Sequence, residues 1–222
     1  MMTFHKKWEQ EKLKIALQPS YFKDNFYINE CNAEAFHFVS RVPPAKLHNK
    51  RLLLIGETYT GKTHLAHVWQ EFNSASFINC GLVSKDITIL PELNSTKIKA
   101  LSQLAPNIEN SAAVICDDIE KWDQEMLFHC INIANENDKP LLMTAKKLPD
   151  SVLPDLESRL RSSHIIAIYQ PNDELLRVIV NKLLSDLQLR VEPSVIAKIL
   201  NQVKKYGWAN IHQFIAVAAK IA

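Results

Sequence analysis

The sequence predicts an α/β fold with a mostly parallel five-stranded sheet and helices on both faces. Three observations predict it. Short apolar runs alternate with helical periodicity between residues 51 and 169. The segment Gly56–Thr63, GETYTGKT, matches the phosphate-binding loop G-x-x-x-x-G-K-[ST]. A third apolar run ends in Asp117 and Asp118. Because parallel strands place their carboxyl ends at one edge, these two motifs should meet there.

The order of the predicted elements divides the chain into three parts. The predicted strands are 51–55, 76–80, 112–116, 140–144 and 165–169. The predicted helices between them are 32–38, 64–72, 96–104 with Ser95 as its cap, 122–135 and a short one within 150–160. After residue 170 only helical patterns remain, at 174–187, 193–205 and 211–221. We therefore predict a tail at 1–20, an α/β nucleotide-binding domain at 21–170 and a small all-helical lid domain at 171–222.

The phosphate loop predicts binding of a nucleotide. Backbone N–H groups at a helix N-terminus offer aimed donors and the positive end of the helix dipole. Lys62 is expected to reach the β- and γ-phosphates, and the hydroxyl of Thr63 to bind Mg²⁺. The predicted nucleotide-binding residues of this loop are Gly56, Glu57, Thr58, Tyr59, Thr60, Gly61, Lys62, Thr63 and His64.

Polar side chains at two further strand ends complete the predicted site. Asp117 is expected to hold Mg²⁺ together with Thr63, and Asp118 to orient the attacking water. Thr144, at the end of the fourth strand, is a candidate polar sensor beside the γ-phosphate. The alternatives are an exposed acidic turn for the two aspartates and a simple strand-end cap for Thr144.

Two arginines precede the fifth strand. An arginine at Arg159 or Arg161 could stabilise charge on a nucleotide held by a neighbouring molecule. The alternative is a pair of surface arginines on a short helix. Arg159, with Asp118 and Thr144, completes the set of candidate catalytic residues.

Composition narrows the class of protein. A net charge of +2 from 26 basic and 24 acidic residues is too balanced to indicate a nucleic-acid surface. No apolar run approaches the roughly 20 residues of a membrane span. The four cysteines form no C-x-x-C pair, which favours reduced thiols in a cytoplasmic protein.

These motifs together resemble the AAA+ ATPases, and more narrowly the bacterial replication initiator DnaA and its regulator Hda. The resemblance covers most of the chain and rests on LQPSYFKDNF at 17–26, NAEA at 32–35, GKTHL at 61–65, CDDIE at 116–120 and SRLRS at 158–162. It implies an AAA+ P-loop NTPase fold with a helical lid, and ATP or ADP with Mg²⁺ as the ligand. It also implies that Phe26 and Ile28 line the adenine pocket and that Arg159 is an arginine finger.

Departures from the resemblance favour a regulator over an initiator. We expect no counterpart of the initiator's DNA-binding domain, and hence no sequence-specific DNA binding. The segment 14–19, KIALQP, has lysine where a sliding-clamp-binding motif has glutamine, which leaves the clamp as a partner open. Family loops often have glycine at the position of Tyr59. Ala209 or Asn210 stands where a lid arginine is expected, so slow hydrolysis of ATP is predicted.

Three functions remain open from the sequence. The first is an Hda-like regulator of replication initiation that promotes ATP hydrolysis by a DnaA-type partner through a trans arginine finger. The second is a helicase-loader-type ATPase, which predicts strong turnover and salt-dependent binding to single strands. The third is a non-hydrolysing adaptor whose nucleotide only stabilises the fold. Assembly into a homo-oligomer is also left open.

Overall fold

The computed structural model describes residues 21, 23–78, 102–149, 153–206, 211 and 215. Several sequence predictions lie outside these residues: the tail at 1–20 with its clamp-like segment, the cap Ser95, Cys80, and the lid positions Ala209 and Asn210. Within the described residues, no helix is long and apolar enough to cross a membrane.

The described part of the chain forms the predicted five-stranded sheet, and every strand pair in it is parallel. The strand order is β2-β3-β4-β1-β5, so the strand before the phosphate loop lies between β4 and β5. The strands are β1 Arg51–Ile55, β2 Ala75–Phe77, β3 Ala113–Cys116, β4 Leu141–Ala145 and β5 His164–Ala167. Cys116 pairs with Met143 and Ile55 with Ala145, which brings three strand ends to one edge.

Helices cover both faces of this sheet, as the alternating pattern predicts. They are α1 Ala33–Arg41, α2 Lys62–Asn73, α3 at 102–109, α4 Gln124–Glu136, α5 Pro154–Arg161, α6 Asp173–Asp186 and α7 Pro193–Tyr206. One core lies between the sheet and α3, α4 and α5, and includes Trp122 and Ile131. A second core lies on the other face with α1 and α2, and includes Trp69 and Val39. Most residues of β1, β3 and β4 are buried between the two cores, which explains why these strands are apolar except at Arg51 and Thr144.

Several predicted bounds are wrong at element ends. α3 continues to residue 109 where the prediction stops at 104, and α1 continues to Arg41 where the prediction stops at 38. β5 ends at Ala167 instead of 169 because the backbone N–H of Tyr169 donates to the carbonyl of Cys31 rather than continuing along β1. Hydrophobic periodicity does not report such a change of backbone partner.

The C-terminal helices have an apolar core of their own. It contains residues from α6 and α7 together with Ile211 and Ile215, which are helical and buried. The side chain of Asn172 caps α6 by accepting a hydrogen bond from the N–H of Leu175 at 3.0 Å. Asn172 also receives a 3.2 Å hydrogen bond from Asn29, which joins this helical part to the segment before α1.

Candidate functional site

The phosphate loop connects β1 to α2 at the carboxyl edge of the sheet. The N–H of Gly56 donates to the carbonyl of Ala145 at 3.1 Å, so the loop begins as a continuation of the strand pairing. A Cβ atom at Gly56 would lie 2.5 Å from the carbonyl oxygen of Ile168, and only glycine avoids this clash. Gly61 has a φ of +97°, a conformation that favours glycine. Both glycines of the motif therefore meet a structural requirement.

Lys62 lies inside the loop and only 6% of it is exposed. Its ammonium group donates to the carbonyls of Gly56 at 2.7 Å and Glu57 at 2.9 Å. Burial lowers the pKa of Lys62, against the opposing influence of nearby carboxylates, of which Asp118 is the strongest. A buried cation whose direct partners are two neutral carbonyls has capacity for an anion. This environment fits a phosphate group.

Three side chains meet where α2, β3 and β4 come together. The hydroxyl of Thr63, on the first turn of α2, donates to Oδ2 of Asp117 at 2.9 Å. The hydroxyl of Thr144 donates to Oδ1 of the same carboxylate at 2.5 Å. Thr144 is fully buried, and its oxygen also accepts from the N–H of Asp118 at 2.9 Å. The structure thus brings the phosphate loop and both predicted strand ends into direct contact.

The donor set around Asp117 fits Mg²⁺. Mg²⁺ prefers hard oxygen ligands, and protein sites usually supply one or two of them while water and phosphate supply the rest. Thr63 and Asp117 offer a hydroxyl and a carboxylate oxygen 2.9 Å apart. The described residues contain no cluster of three or more His, Cys, Asp or Glu that could hold a metal without such help. Thr63 and Asp117 would therefore hold the ion together with a phosphate.

Asp118 adopts a left-handed backbone conformation with a φ of +51°. Its carboxylate forms an ion pair with Lys121, with the Nζ and Oδ2 atoms 2.6 Å apart. This hydrogen bond raises the pKa of Lys121. The candidate water-orienting group is therefore engaged by a lysine from the next turn.

Sequence reasoning missed three side chains that support the site. The indole N–H of Trp122 donates to the carbonyl of Asp117 at 3.0 Å, which fixes the backbone at the end of β3. Lys146 pairs with Glu57 across the loop at 3.0 Å. Lys121 lies three residues after Asp118, a spacing that could have indicated their pairing. The contacts of Trp122 and Lys146 have no local sequence signal.

The remaining loop residues form its outer side. Thr58 is exposed, whereas the hydroxyl of Thr60 is turned inward and donates to the carbonyl of Glu57 at 2.9 Å. Tyr59 is 52% exposed and has a φ of +67°. A bulky residue in this conformation is strained, which explains why glycine suits the position.

Aromatic side chains flank the loop on the side of α1. The ring of Phe26 stacks on Phe36 with centroids 5.6 Å apart and meets the ring of His64 edge-on at 5.1 Å. Its edge also lies 3.1 Å from where a Cβ of Gly61 would be, so Phe26 contacts the phosphate loop directly. Ile28, the second predicted adenine-pocket residue, is 54% exposed. His64 thus faces an aromatic group, while Phe26 borders the loop.

The two candidate finger arginines differ in their surroundings. Arg161 is exposed and pairs with Glu157 at 2.8 Å on the same helix. Arg159 is half-buried, with its guanidinium 5.0 Å from the centroid of Phe128. Arg159 lines a cavity together with Arg51, the first residue of β1. The phosphate loop follows the last residue of that strand, about 13 Å further along it.

The parallel sheet, the glycine-dependent loop around Lys62 and the contact between Thr63 and Asp117 define a P-loop NTPase domain. Residues 17–169 match the model of the bacterial DnaA ATPase domain. This match covers more than half of the chain, and the chain therefore belongs to the bacterial DnaA ATPase domain family, within the AAA+ ATPases.

Individual relatives agree with this assignment. The chain is 29% identical over 186 residues to the chromosomal replication initiator protein DnaA of Magnetococcus marinus, covering 78% of this chain and 41% of that protein. It is 28% identical over 201 residues to DnaA of Thermoanaerobacter sp., covering 85% of this chain and 45% of that protein. The chain thus spans less than half the length of these relatives.

Solved structures show the same fold. A crystal structure of a DNA replication initiation factor superposes with a TM-score of 0.71 at 19% identity, covering 91% of this chain and 65% of that one. Domain III of DnaA from Thermotoga maritima gives 0.69 at 18% identity, covering 91% of this chain and 88% of that one. DnaA bound to AMPPCP and single-stranded DNA gives 0.66 at 20% identity, covering 91% and 65%. The fold class predicted from the sequence, an AAA+ P-loop NTPase, is confirmed.

Proposed function

We propose that this protein binds ATP or ADP with Mg²⁺ at the phosphate loop and regulates replication initiation by acting on a DnaA-type partner, as Hda does. Lys62 and the loop N–H groups bind the phosphates, and Thr63 and Asp117 hold the metal ion. The ion supplies neutralisation of phosphate charge. Phe26 and Ile28 border the adenine. AMPPCP bound to a DnaA of the same fold supports an adenine nucleotide as the ligand.

Intrinsic hydrolysis is proposed to be slow. Asp118 is the carboxylate nearest in sequence to the metal ligand, and its side chain is paired with Lys121 at 2.6 Å. A carboxylate in an ion pair is a poorer acceptor for a water proton than an unpaired one. Lys204 is one of the cations nearest in sequence to Ala209 and Asn210, where a lid arginine is expected. It pairs with Asp173 at 2.5 Å. Both contacts support nucleotide binding with little turnover.

The position of Arg159 is the observation on which the regulatory proposal depends. Arg159 lies beside Arg51 at the amino end of β1, whereas the protein's own phosphate loop lies beyond the carboxyl end of that strand. An arginine at this distance does not reach the nucleotide of its own molecule. This position supports a role on a nucleotide held by a neighbour, as arginine fingers have. We therefore propose Arg159 as the finger and Arg161 as a surface arginine.

The test measures ATP hydrolysis by an ATP-loaded DnaA-type partner, with and without this protein. The unmodified protein is expected to accelerate hydrolysis by the partner. Arg159→Ala is expected to lower the stimulated rate by about three orders of magnitude, or to the rate of the partner alone. Arg161→Ala is the matched control, since it removes an arginine from the same helix. Arg161 is exposed and pairs with Glu157. An Arg159→Ala variant that stimulates as well as the parent contradicts the proposal. Full activity without any partner would instead favour the autonomous ATPase.

A further inference from the structure

A second basic site lies at the opposite end of β1 from the phosphate loop. It is a cavity of about 760 Å³, here called the Arg51 cavity, between the segment before β1, the end of α4 and helix α5. Its polar lining includes Lys50, Arg51, Asn135, Lys139, Arg159 and Ser162.

Arg51 is buried in this cavity without a counter-charge. Only 3% of the residue is exposed. Its guanidinium donates to the hydroxyl of Ser162 at 2.6 Å and to the amide oxygen of Asn135 at 3.3 Å, and both acceptors are neutral. Its Nε–H has no partner. No carboxylate among the described residues lies within ion-pair distance of the Arg51 guanidinium. Burying a charge without a counter-charge costs free energy of folding.

A second arginine adds to this uncompensated charge. Arg159 lines the same cavity. The pKa of Arg51 is lowered mainly by its burial and, to a smaller extent, by the positive charge of Arg159. Two carboxylates also line the cavity. Asp138 is paired with Lys50, and Asp155 forms no ion pair with either arginine. The cavity is therefore lined by two arginines, and neither forms an ion pair with a carboxylate of the described residues.

We propose that the Arg51 cavity binds a phosphate group, with Arg51 and Arg159 as its paired guanidinium ligands and Ser162 as a neutral donor or acceptor beside them. Guanidinium groups match phosphate through parallel N–H···O hydrogen bonds, and Arg51, which lines the cavity, has a buried Nε–H without a partner. The same phosphate chemistry could come from either of two ligands. One is free inorganic phosphate or polyphosphate, and the other is the phosphate chain of a nucleotide presented by a partner molecule.

The test follows the Nε–H resonance of Arg51 by NMR in the full chain saturated with ADP and Mg²⁺, so that the phosphate loop is already filled. Arg51→Lys assigns the resonance by removing it. In one arm inorganic phosphate is added, and in the other a DnaA-type partner loaded with a non-hydrolysable ATP analogue. A shift with phosphate alone indicates a free anion as ligand, and a shift with the partner alone indicates the partner's nucleotide.

Two variants and one stability measurement complete the test. Arg159→Gln is expected to weaken phosphate binding about tenfold or more, whereas Arg161→Gln leaves it unchanged. Phosphate is also expected to raise the thermal midpoint of the ADP-saturated parent but not that of Arg159→Gln. If neither ligand shifts the resonance and phosphate does not raise the midpoint, the site is wrong. Loss of partner stimulation in Arg159→Ala would then still leave the proposed regulatory function standing.

Discussion

The hydroxyl of Thr144 lies 2.5 Å from Oδ1 of Asp117 and joins the ends of two adjacent strands, β4 and β3. The same oxygen accepts the N–H of Asp118 at 2.9 Å, so one fully buried hydroxyl serves both acids of the strand end. Because Thr63 donates to the other oxygen of Asp117, the carboxylate is held from the sheet and from α2 at once. We infer that Thr144 orients the carboxylate that we propose as a metal ligand.

Replacing Thr144 with valine tests this orientation with almost no change of shape. Thr144→Val deprives Asp117 of a donor and the N–H of Asp118 of its acceptor, at an expected cost of about 1 to 3 kcal/mol in the free energy of unfolding. Thr144→Ser keeps the hydroxyl and loses one buried methyl, at about 1 kcal/mol. Denaturant unfolding should show the larger loss for valine, together with weaker Mg²⁺-dependent nucleotide binding. Equal or smaller loss for valine would show that the hydrogen bonds contribute little.

The affinity for ADP should depend on pH through Lys62. Burial lowers the pKa of this lysine below its ordinary value of 10.5, and a bound phosphate would raise it again. The affinity for ADP is then highest at pH values below the pKa of Lys62 in the free protein. It falls by about tenfold per pH unit above that pKa until the pKa of the complex is reached. Calorimetric titrations at increasing pH should show the decline beginning below 10.5. An affinity that stays constant up to that pH contradicts the role of Lys62.

The proposed metal-binding role of Thr63 can be separated from its contribution to the loop. Thr63→Val removes the hydroxyl that contacts Asp117, and we expect the gain in ADP affinity on adding Mg²⁺ to fall about tenfold or more. Affinity measured with excess chelator should change much less. Thr58→Val is the matched control, because Thr58 is exposed on the outer side of the same loop. If both variants respond equally to Mg²⁺, the assignment of Thr63 is wrong.

Lys121 is expected to limit intrinsic turnover by engaging Asp118. Lys121→Met removes the ion pair, which leaves the carboxylate of Asp118 able to accept a proton from water. Single-turnover ATP hydrolysis should become severalfold faster than in the parent. Lys198→Met, on the exposed face of α7, serves as the control. Unchanged hydrolysis in Lys121→Met would mean that Asp118 does not orient the water.

Local sequence patterns predicted the central features of the site. The phosphate loop and the acids after β3 are contiguous motifs, and the parallel sheet that joins them follows from alternating strands and helices. The contact between Thr63 and Asp117 confirms that the two motifs meet. Thr144 was also predicted as a site residue, because it stands next to the end of the strand that lies between β3 and β1.

The features that were missed depend on contacts between distant parts of the chain. Arg51 reads as the polar start of an apolar strand, yet it is buried against Ser162, 111 residues away. Its lack of a counter-charge is visible only when the whole cavity is assembled. Element ends were also mispredicted, since Tyr169 leaves the sheet to bond with Cys31 rather than for any reason in its own segment.

The proposed function depends above all on Lys62 and the paired-acid strand end forming a Mg²⁺-adenine nucleotide site. Calorimetric titration of the parent with ADP and ATP in the presence of Mg²⁺ tests it most directly. We predict saturable binding of at least one nucleotide, weakened about thirtyfold or more in Lys62→Ala and unchanged in Lys198→Ala. Failure of the folded parent to bind either nucleotide, or equal binding by Lys62→Ala, would contradict the account.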